Sequence, residues 1–184
     1  MTESLNIPRT PIVVRFSGLP GVGKTTFLEQ TGVPFVDVDR KRKELFGYNP
    51  VLPPDLERAQ MEEAYKAMYL EAAELLSDHP VVAVGATFRA RESRNFASQF
   101  ASRVGARLFP VALVFFDETE EEIIIKRRLA MRNQQGSDSN IRTYEEYLRV
   151  KSGAIPYDEP GTLLLDAAKP IPVLMYEFKQ SLAR

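Results

Sequence analysis

Gly18-Leu19-Pro20-Gly21-Val22-Gly23-Lys24-Thr25-Thr26 is the stretch that decides the fold of this chain. It fits G-x-x-x-x-G-K-[ST] in the setting that pattern needs. The apolar run Ile12–Ser17 precedes it, and a helix-compatible stretch, Thr25–Gln30, follows. Gly18, Gly21 and Gly23 let backbone N–H groups curl around an anion where side chains would collide. The helix that follows aims its positive end at the same point. Lys24 adds a point charge for β- and γ-phosphates, and the Thr25 hydroxyl can ligate Mg²⁺. The stretch predicts a nucleoside triphosphate site at a strand-to-helix turn.

Working outward, thirteen prolines punctuate an alternation of short apolar runs and longer amphipathic stretches. The apolar runs are Ile12–Ser17, Phe35–Val38, Val81–Ala86, Phe109–Phe116 and Gly161–Leu165, each nearly continuous, as strands covered on both faces must be. Helical spacing runs through Leu56–Ser77, with Met61, Tyr65, Met68, Tyr69, Ala72 and Leu76, and through Arg91–Val104, with Phe96, Phe100 and Val104. Thr119 with Glu122 and Thr143 with Glu146 read as capping boxes that open two further helices. The alternation predicts an α/β three-layer sandwich around a five-stranded parallel sheet. Polar Gln134–Asn140 reads as a loop.

Two charged clusters lie beside this framework. Asp37-Val-Asp39-Arg-Lys-Arg42 ends the second apolar run, at the carboxyl edge of the sheet where open α/β folds bind ligands. Asp39 and Arg42, three apart at a helix start, can face the same way: the acid to accept a hydroxyl proton, the arginine to hold an anion. A helix-start acid beside an exposed basic run is the simpler alternative. In Lys126-Arg127-Arg128-Leu-Ala-Met-Arg132, Arg128 and Arg132 share one helix face while Ile125 and Leu129 pack on another. Like charges at that spacing destabilise a helix slightly unless an anion lies between them, and a solvated face is the alternative. Arg89, Arg91 and Arg94 either line a cleft or face solvent.

Composition narrows the classes. A chain of 184 residues is one domain, and 44% apolar with 27% charged residues is an ordinary globular balance. The net charge of −1 excludes a generic polyanion binder, so any nucleic-acid contact needs a local patch. No cysteine and one histidine exclude thiolate and His-cluster metal centres. With no basic-then-apolar leader in MTESLNIPRTP and no long apolar run, the expectation is a soluble cytoplasmic chain without a membrane partner. A base-reading N-K-x-D is absent, which argues against a GTPase. Asp158-Glu-Pro-Gly161 matches D-x-x-G, but only 23 residues follow it, so a turn is the better reading.

In order and spacing these pieces resemble the small P-loop kinases grouped with polynucleotide kinase, zeta toxin, gluconate kinase and chloramphenicol phosphotransferase, which carry AAA-type ATP-binding domains. The resemblance spans about Val13 to Asp166. It runs through the glycine-rich stretch, Asp39-x-x-Arg42-x-x-Leu45-Phe46-Gly47, Val81-Val82-x-x-Gly85-Ala86-Thr87-Phe88, a helix with Arg94, and Arg128-Leu-Ala-Met-Arg132-Asn133 leading to Ser137-Asp138. It implies strand order 2-3-1-4-5 and a single domain over 1–184 with a small lid around 128–152. It also implies γ-phosphoryl transfer from ATP to a hydroxyl acceptor that the motifs do not name. Gly18, Gly21, Val22, Gly23, Lys24, Thr25 and Thr26 would hold the nucleotide, with Mg²⁺ on Thr25 and Asp39. Lys24, Asp39 as base, and the lid arginines Arg128 and Arg132 would serve catalysis, and Arg42, Thr87 and Arg94 the acceptor.

One departure stands out. The third strand of such kinases usually ends Asp-Ala-Thr, and here it reads Gly85-Ala86-Thr87, so the acid that helps hold the metal's water shell is missing there. Asp37 or Asp39 is left to compensate. A nucleotide-binding module with little or no kinase activity is therefore one rival reading. A nucleic-acid 5′-hydroxyl kinase is another, disfavoured by the net charge.

Overall fold

Alternating apolar runs and helical stretches settle into twelve elements among the residues that the computed structural model describes, 10–47, 52–135 and 141–183. The strands are β1 (Ile12–Ser17), β2 (Phe35–Asp37), β3 (Val81–Ala86), β4 (Arg107–Val114) and β5 (Leu163–Asp166). The helices are α1 (Lys24–Thr31), α2 (Val38–Phe46), α3 (Pro54–Leu75), α4 (Arg91–Arg103), α5 (Glu118–Gln135), α6 (Tyr144–Ser152) and α7 (Ile171–Leu182). All strand pairs are parallel, in the order β2-β3-β1-β4-β5. This is the expected α/β class and the expected order.

Strand alternation divides the core in two. Val14 and Phe16 pack with Phe27 and Leu28 of α1, Ile125 and Leu129 of α5, and Phe178 of α7. On the other face, Val13, Val82 and Val84 pack with Ala64, Met68 and Ala72 of α3 and Ala97 and Ala101 of α4. The sheet is thus covered on both sides, and its carboxyl edge carries the loops that form the site.

The structure corrects several local expectations. Phe96 was expected on the inner stripe of α4, yet it is 61% exposed, and the buried stripe is Arg94, Ala97 and Ala101. Small residues let that helix approach the sheet closely, and the phenylalanine stripe is displaced outward. Thr119 does not open α5: the helix starts at Glu118, and Asp117 Oδ1 accepts the Glu120 N–H at 2.8 Å. The Thr143–Glu146 capping box forms as expected at the start of α6. Strand β4 ends at Val114, opposite Asp166, so Phe115 and Phe116 continue the apolarity beyond the ladder. Helix α7 went unforeseen because its prolines read as punctuation, although proline fits the first turn of a helix. No described helix is long and apolar enough to cross a membrane.

Candidate active site

The glycine-rich turn leaves β1 at Gly18, whose φ is +154°. A Cβ there would lie 2.7 Å from the Leu113 carbonyl and 2.9 Å from Val22 Cγ2, so only glycine fits. Gly23, at φ +100°, caps α1, and no side-chain cap bond takes up the first-turn N–H groups of that helix. Lys24 Nζ donates to the carbonyls of Gly18 at 2.8 Å and Leu19 at 3.2 Å, which folds the ammonium back over the loop.

A cleft of about 460 Å³ lies along this turn. Gly21, Val22, Gly23, Lys24, Thr25 and Thr26 form one wall, and Asp37, Asp39, Arg128, Met131, Ala167 and Lys169 form the others. Arg128 reaches across from α5. Its Nη1 donates to the Val22 carbonyl at 2.7 Å and to that of Gly21 at 3.2 Å, while Nη2 donates to the Ala167 carbonyl at 3.4 Å. Burial, with Arg127 adding to it, holds its pKa below the usual arginine value. The guanidinium is therefore docked on the phosphate loop and does not project from a solvated face. The Arg132 side chain and residues 136–140 lie outside the described residues.

Asp37 and Asp39 meet the cleft from β2 and α2. Asp37 is 6% exposed, and its Oδ1 accepts the N–H groups of Asp39 at 3.0 Å and Arg40 at 3.3 Å, capping α2. Burial and the neighbouring Asp39 push its pKa up to about 6, against the pull of Lys24 and the two cap bonds. Gly85 is its ladder partner, and a Cβ on Gly85 would lie 3.0 Å from Asp37 Oδ2. Asp39, in the first turn of α2, is half-buried. Arg42, one turn on, is buried toward α3, with Nη1 3.8 Å from Glu57 Oε1.

Arg42, Thr87 and Arg94 do not line this cleft. Arg94, 1% exposed, is built into the corner after β3. Its Nε donates to the Phe88 carbonyl at 2.7 Å, Nη1 to that of Pro156 at 2.7 Å, and Nη2 to that of Ile155 at 2.5 Å. Its Nη1 also lies 3.2 Å from Glu159 Oε1, and its guanidinium sits 4.6 Å from the centre of the Tyr157 ring. The Thr87 carbonyl accepts the Tyr157 hydroxyl at 2.5 Å, and the Arg89 carbonyl accepts the Ile155 N–H at 2.9 Å. Phe88, at φ +45°, is the one described non-glycine residue with positive φ, and Arg94 holds its carbonyl. The expected turn at Asp158–Gly161 forms one residue later, over Glu159–Thr162, with the Thr162 N–H donating to the Glu159 carbonyl at 3.1 Å.

Sequence reasoning missed Arg15 and Glu159 as partners. Arg15 interrupts the apolar β1, is 2% exposed, and pairs with Glu159, which also meets Arg94. A charge inside a buried strand was the available signal; its partner 144 residues away was not. A second cavity, of about 440 Å³, lies beyond Leu19, between Phe115, Tyr147, Tyr157 and Leu164. Glu121 on its rim accepts from the Tyr147 hydroxyl and from Lys151 Nζ at 2.8 Å.

A parallel 2-3-1-4-5 sheet with this loop and cleft defines a P-loop nucleotide-binding fold. The AAA domain family model matches residues 13–151, and the chain belongs to that family, as its resemblance to small P-loop kinases led us to expect. None of the curated proteins matches at a significant level. Solved structures similar to it include a gluconokinase from Sinorhizobium meliloti, with 21% identity and a TM-score of 0.60, covering 96% of this chain and 94% of that one. An APS kinase from Mycobacterium tuberculosis, in complex with AMPPNP and APS, shares 20% identity with a TM-score of 0.62, covering 96% and 100%. A shikimate kinase from Bacteroides thetaiotaomicron shares 19% identity with a TM-score of 0.55, covering 94% and 99%.

Proposed function

We propose that this chain is an ATP-dependent phosphotransferase that moves the γ-phosphoryl group to a hydroxyl of a small molecule. One observation carries the reading: the phosphate loop on α1 and the Asp39 carboxylate on α2 open into the same cleft. The γ-phosphorus bond to the β-phosphate bridging oxygen breaks while a bond to the acceptor oxygen forms, and the acceptor proton passes to Asp39. Loop N–H groups and Lys24 hold the phosphates, so catalysis is mostly positioning and charge stabilisation. Arg128, already across the cleft, adds positive charge where the phosphoryl group travels, and Arg132 is assigned beside it on the same helix. Arg42, Thr87 and Arg94 serve the acceptor side, Arg94 by shaping the corner around Tyr157. Residues 128–152 act as the lid.

The residues present fit Mg²⁺. The Thr25 hydroxyl and the carboxylates of Asp37 and Asp39 line one cleft, and no group of three or more His, Cys, Asp or Glu side chains that could hold a metal occurs among the described residues. That donor set suits an ion held by one or two protein oxygens together with phosphates and water. When bound, Mg²⁺ supplies neutralisation of the β- and γ-phosphate charge.

Labelled ATP offered with sugars, nucleosides and oligonucleotide 5′ ends tests the reading. Transfer to a small hydroxyl compound supports it. Tight Mg-ATP binding without transfer to any acceptor would reduce the chain to a nucleotide-binding module. Transfer confined to oligonucleotide ends would make it a nucleic-acid kinase.

A further inference from the structure

The second cavity, of about 440 Å³, takes no part in the reaction proposed above. It shares Val22 and Leu113 with the cleft, and both are nearly buried, so they stand as a wall between the two spaces. Among the described residues, none from β2 or α2 lines it. Its volume lies in the range of small-molecule sites, and its walls have their character: apolar surface with a few placed polar groups. Ile155, Tyr157, Phe116 and Leu164 supply apolar surface, the last two being 62% and 43% exposed. The polar groups are unequal in charge, since Glu118, Glu121 and Asp158 share the lining with one cation, Lys151. Lys151 Nζ lies 2.8 Å from Glu121 Oε2 and 3.7 Å from Glu118 Oε1. The Tyr147 hydroxyl donates to the Glu121 carboxylate as well, so that acid is built into place. The Asp158 carboxylate has no hydrogen bond or ion pair among the described residues. Arg94 and Arg128 lie over the Tyr157 and Phe115 rings, but both are held by backbone carbonyls and neither lines the cavity.

We propose that this cavity is a second binding site, for a small molecule with an aromatic or branched alkyl body and one ammonium group. The body packs on Phe116, Leu164 and Ile155. The ammonium is drawn to Asp158 and Glu118, the acids that the Lys151–Glu121 pair leaves over. A carboxylate in the same place would meet three acids and one base that is already paired. The site stands apart from the cleft, so it holds whether or not the cleft transfers phosphate.

The probe is 2-phenylethylamine, with 2-phenylethanol and 3-phenylpropionate as its neutral and anionic counterparts. Each is titrated into the methyl-labelled full chain and followed by NMR. Methyl signals of Ile155 and Leu164 should move, while those of Met131 and Ile171, which line the cleft, should stay. The amine should bind about 10-fold tighter than the alcohol, the advantage of a hydrogen bond to a charged group. Asp158→Asn with Glu118→Gln changes two exposed carboxylates and should remove that advantage, leaving the affinity for the alcohol unchanged. Phe116→Ala should weaken the amine and the alcohol alike. No binding, signals that move at Met131 and Ile171 instead, or an amine no tighter than the alcohol overturns the assignment. Tighter binding of 3-phenylpropionate overturns it too. Ile155 and Leu164 signals that move with protein concentration alone would show a second copy of the chain covering this face, which also overturns it.

Discussion

The two sides of the carboxyl edge are built from different materials. At the phosphate loop the working groups are backbone: N–H groups set by Gly18 and Gly23, with a helix behind them. At the corner formed by 87–94 and 155–159, carbonyls from two distant segments are stitched together by side chains, chiefly Arg94 and Tyr157. A backbone site depends on a few contiguous residues that only glycine can replace. A side-chain site can be rebuilt with other partners, and it is there that one fold hosts different acceptors. Nucleotide chemistry should thus be insensitive to changes at the corner, and the corner's stability insensitive to the loop.

The largest effect tests the carboxylate that shares the cleft with the loop. Asp39→Asn should lower the transfer rate by about 10²–10⁴ while ATP still binds, as loss of a general base does. Single-turnover transfer and calorimetric ATP binding check it. If Asp37→Asn is instead the damaged variant, the base has been placed on the wrong carboxylate.

Next comes the corner. Arg94→Leu leaves the carbonyls of Phe88, Ile155 and Pro156 without their donor, at about 1–3 kcal/mol for each buried group left unpaired, so a loss on the order of 3 kcal/mol is expected in urea unfolding. Arg94→Lys should recover less than half, because an ammonium cannot serve three carbonyls from one plane. Nucleotide affinity in a folded Arg94 variant should match wild type. A fall in that affinity would show that the two sides are coupled.

Lys24→Ala reverses that pattern. It should weaken Mg-ATP binding by about 1.5–3 kcal/mol, the usual loss for a hydrogen bond to a charged group. Thermal stability should hold, since in the free protein Lys24 Nζ rests on the carbonyls of Gly18 and Leu19 at the mouth of the cleft. Unchanged affinity would count against the phosphate loop as the nucleotide site.

The same contrast explains what the sequence could show. Strands β1 and β3 match their apolar runs residue for residue, and the loop is legible because its three glycines fall within six residues and all take positive φ. Asp37 and Asp39 were visible as a pair, but the space at Gly85 that separates their surroundings exists only after β2 and β3 pair. Arg94 looked like a cleft or surface arginine because the stripe of Phe96, Phe100 and Val104 is the more apolar one. Only the closeness of α4 to the sheet selects the smaller stripe. Arg15 and Glu159 are far apart in sequence, and no local pattern joins them.

The smallest effect concerns Asp37 and pH. Its pKa is about 6 in the folded chain against an ordinary 3.8, so between those values the folded state holds a proton that the unfolded state has released. The Asp37 contribution to the stability of the metal-free protein therefore falls as pH rises from about 4 through 6 and levels off above, the reverse of a salt-bridged carboxylate. The gap between the two values is worth no more than about 3 kcal/mol. Water entering the open cleft relaxes part of the buried charge, so the expected loss is on the order of 1 kcal/mol. Urea unfolding in EDTA across this range should show wild type losing stability relative to Asp37→Asn, which cannot ionise. Saturating Mg²⁺ with AMPPNP should suppress that loss, because a cation beside the carboxylate favours the charged form. A wild-type minus Asp37→Asn difference of opposite sign in EDTA would mean that the Asp37 carboxylate is paired in the free protein.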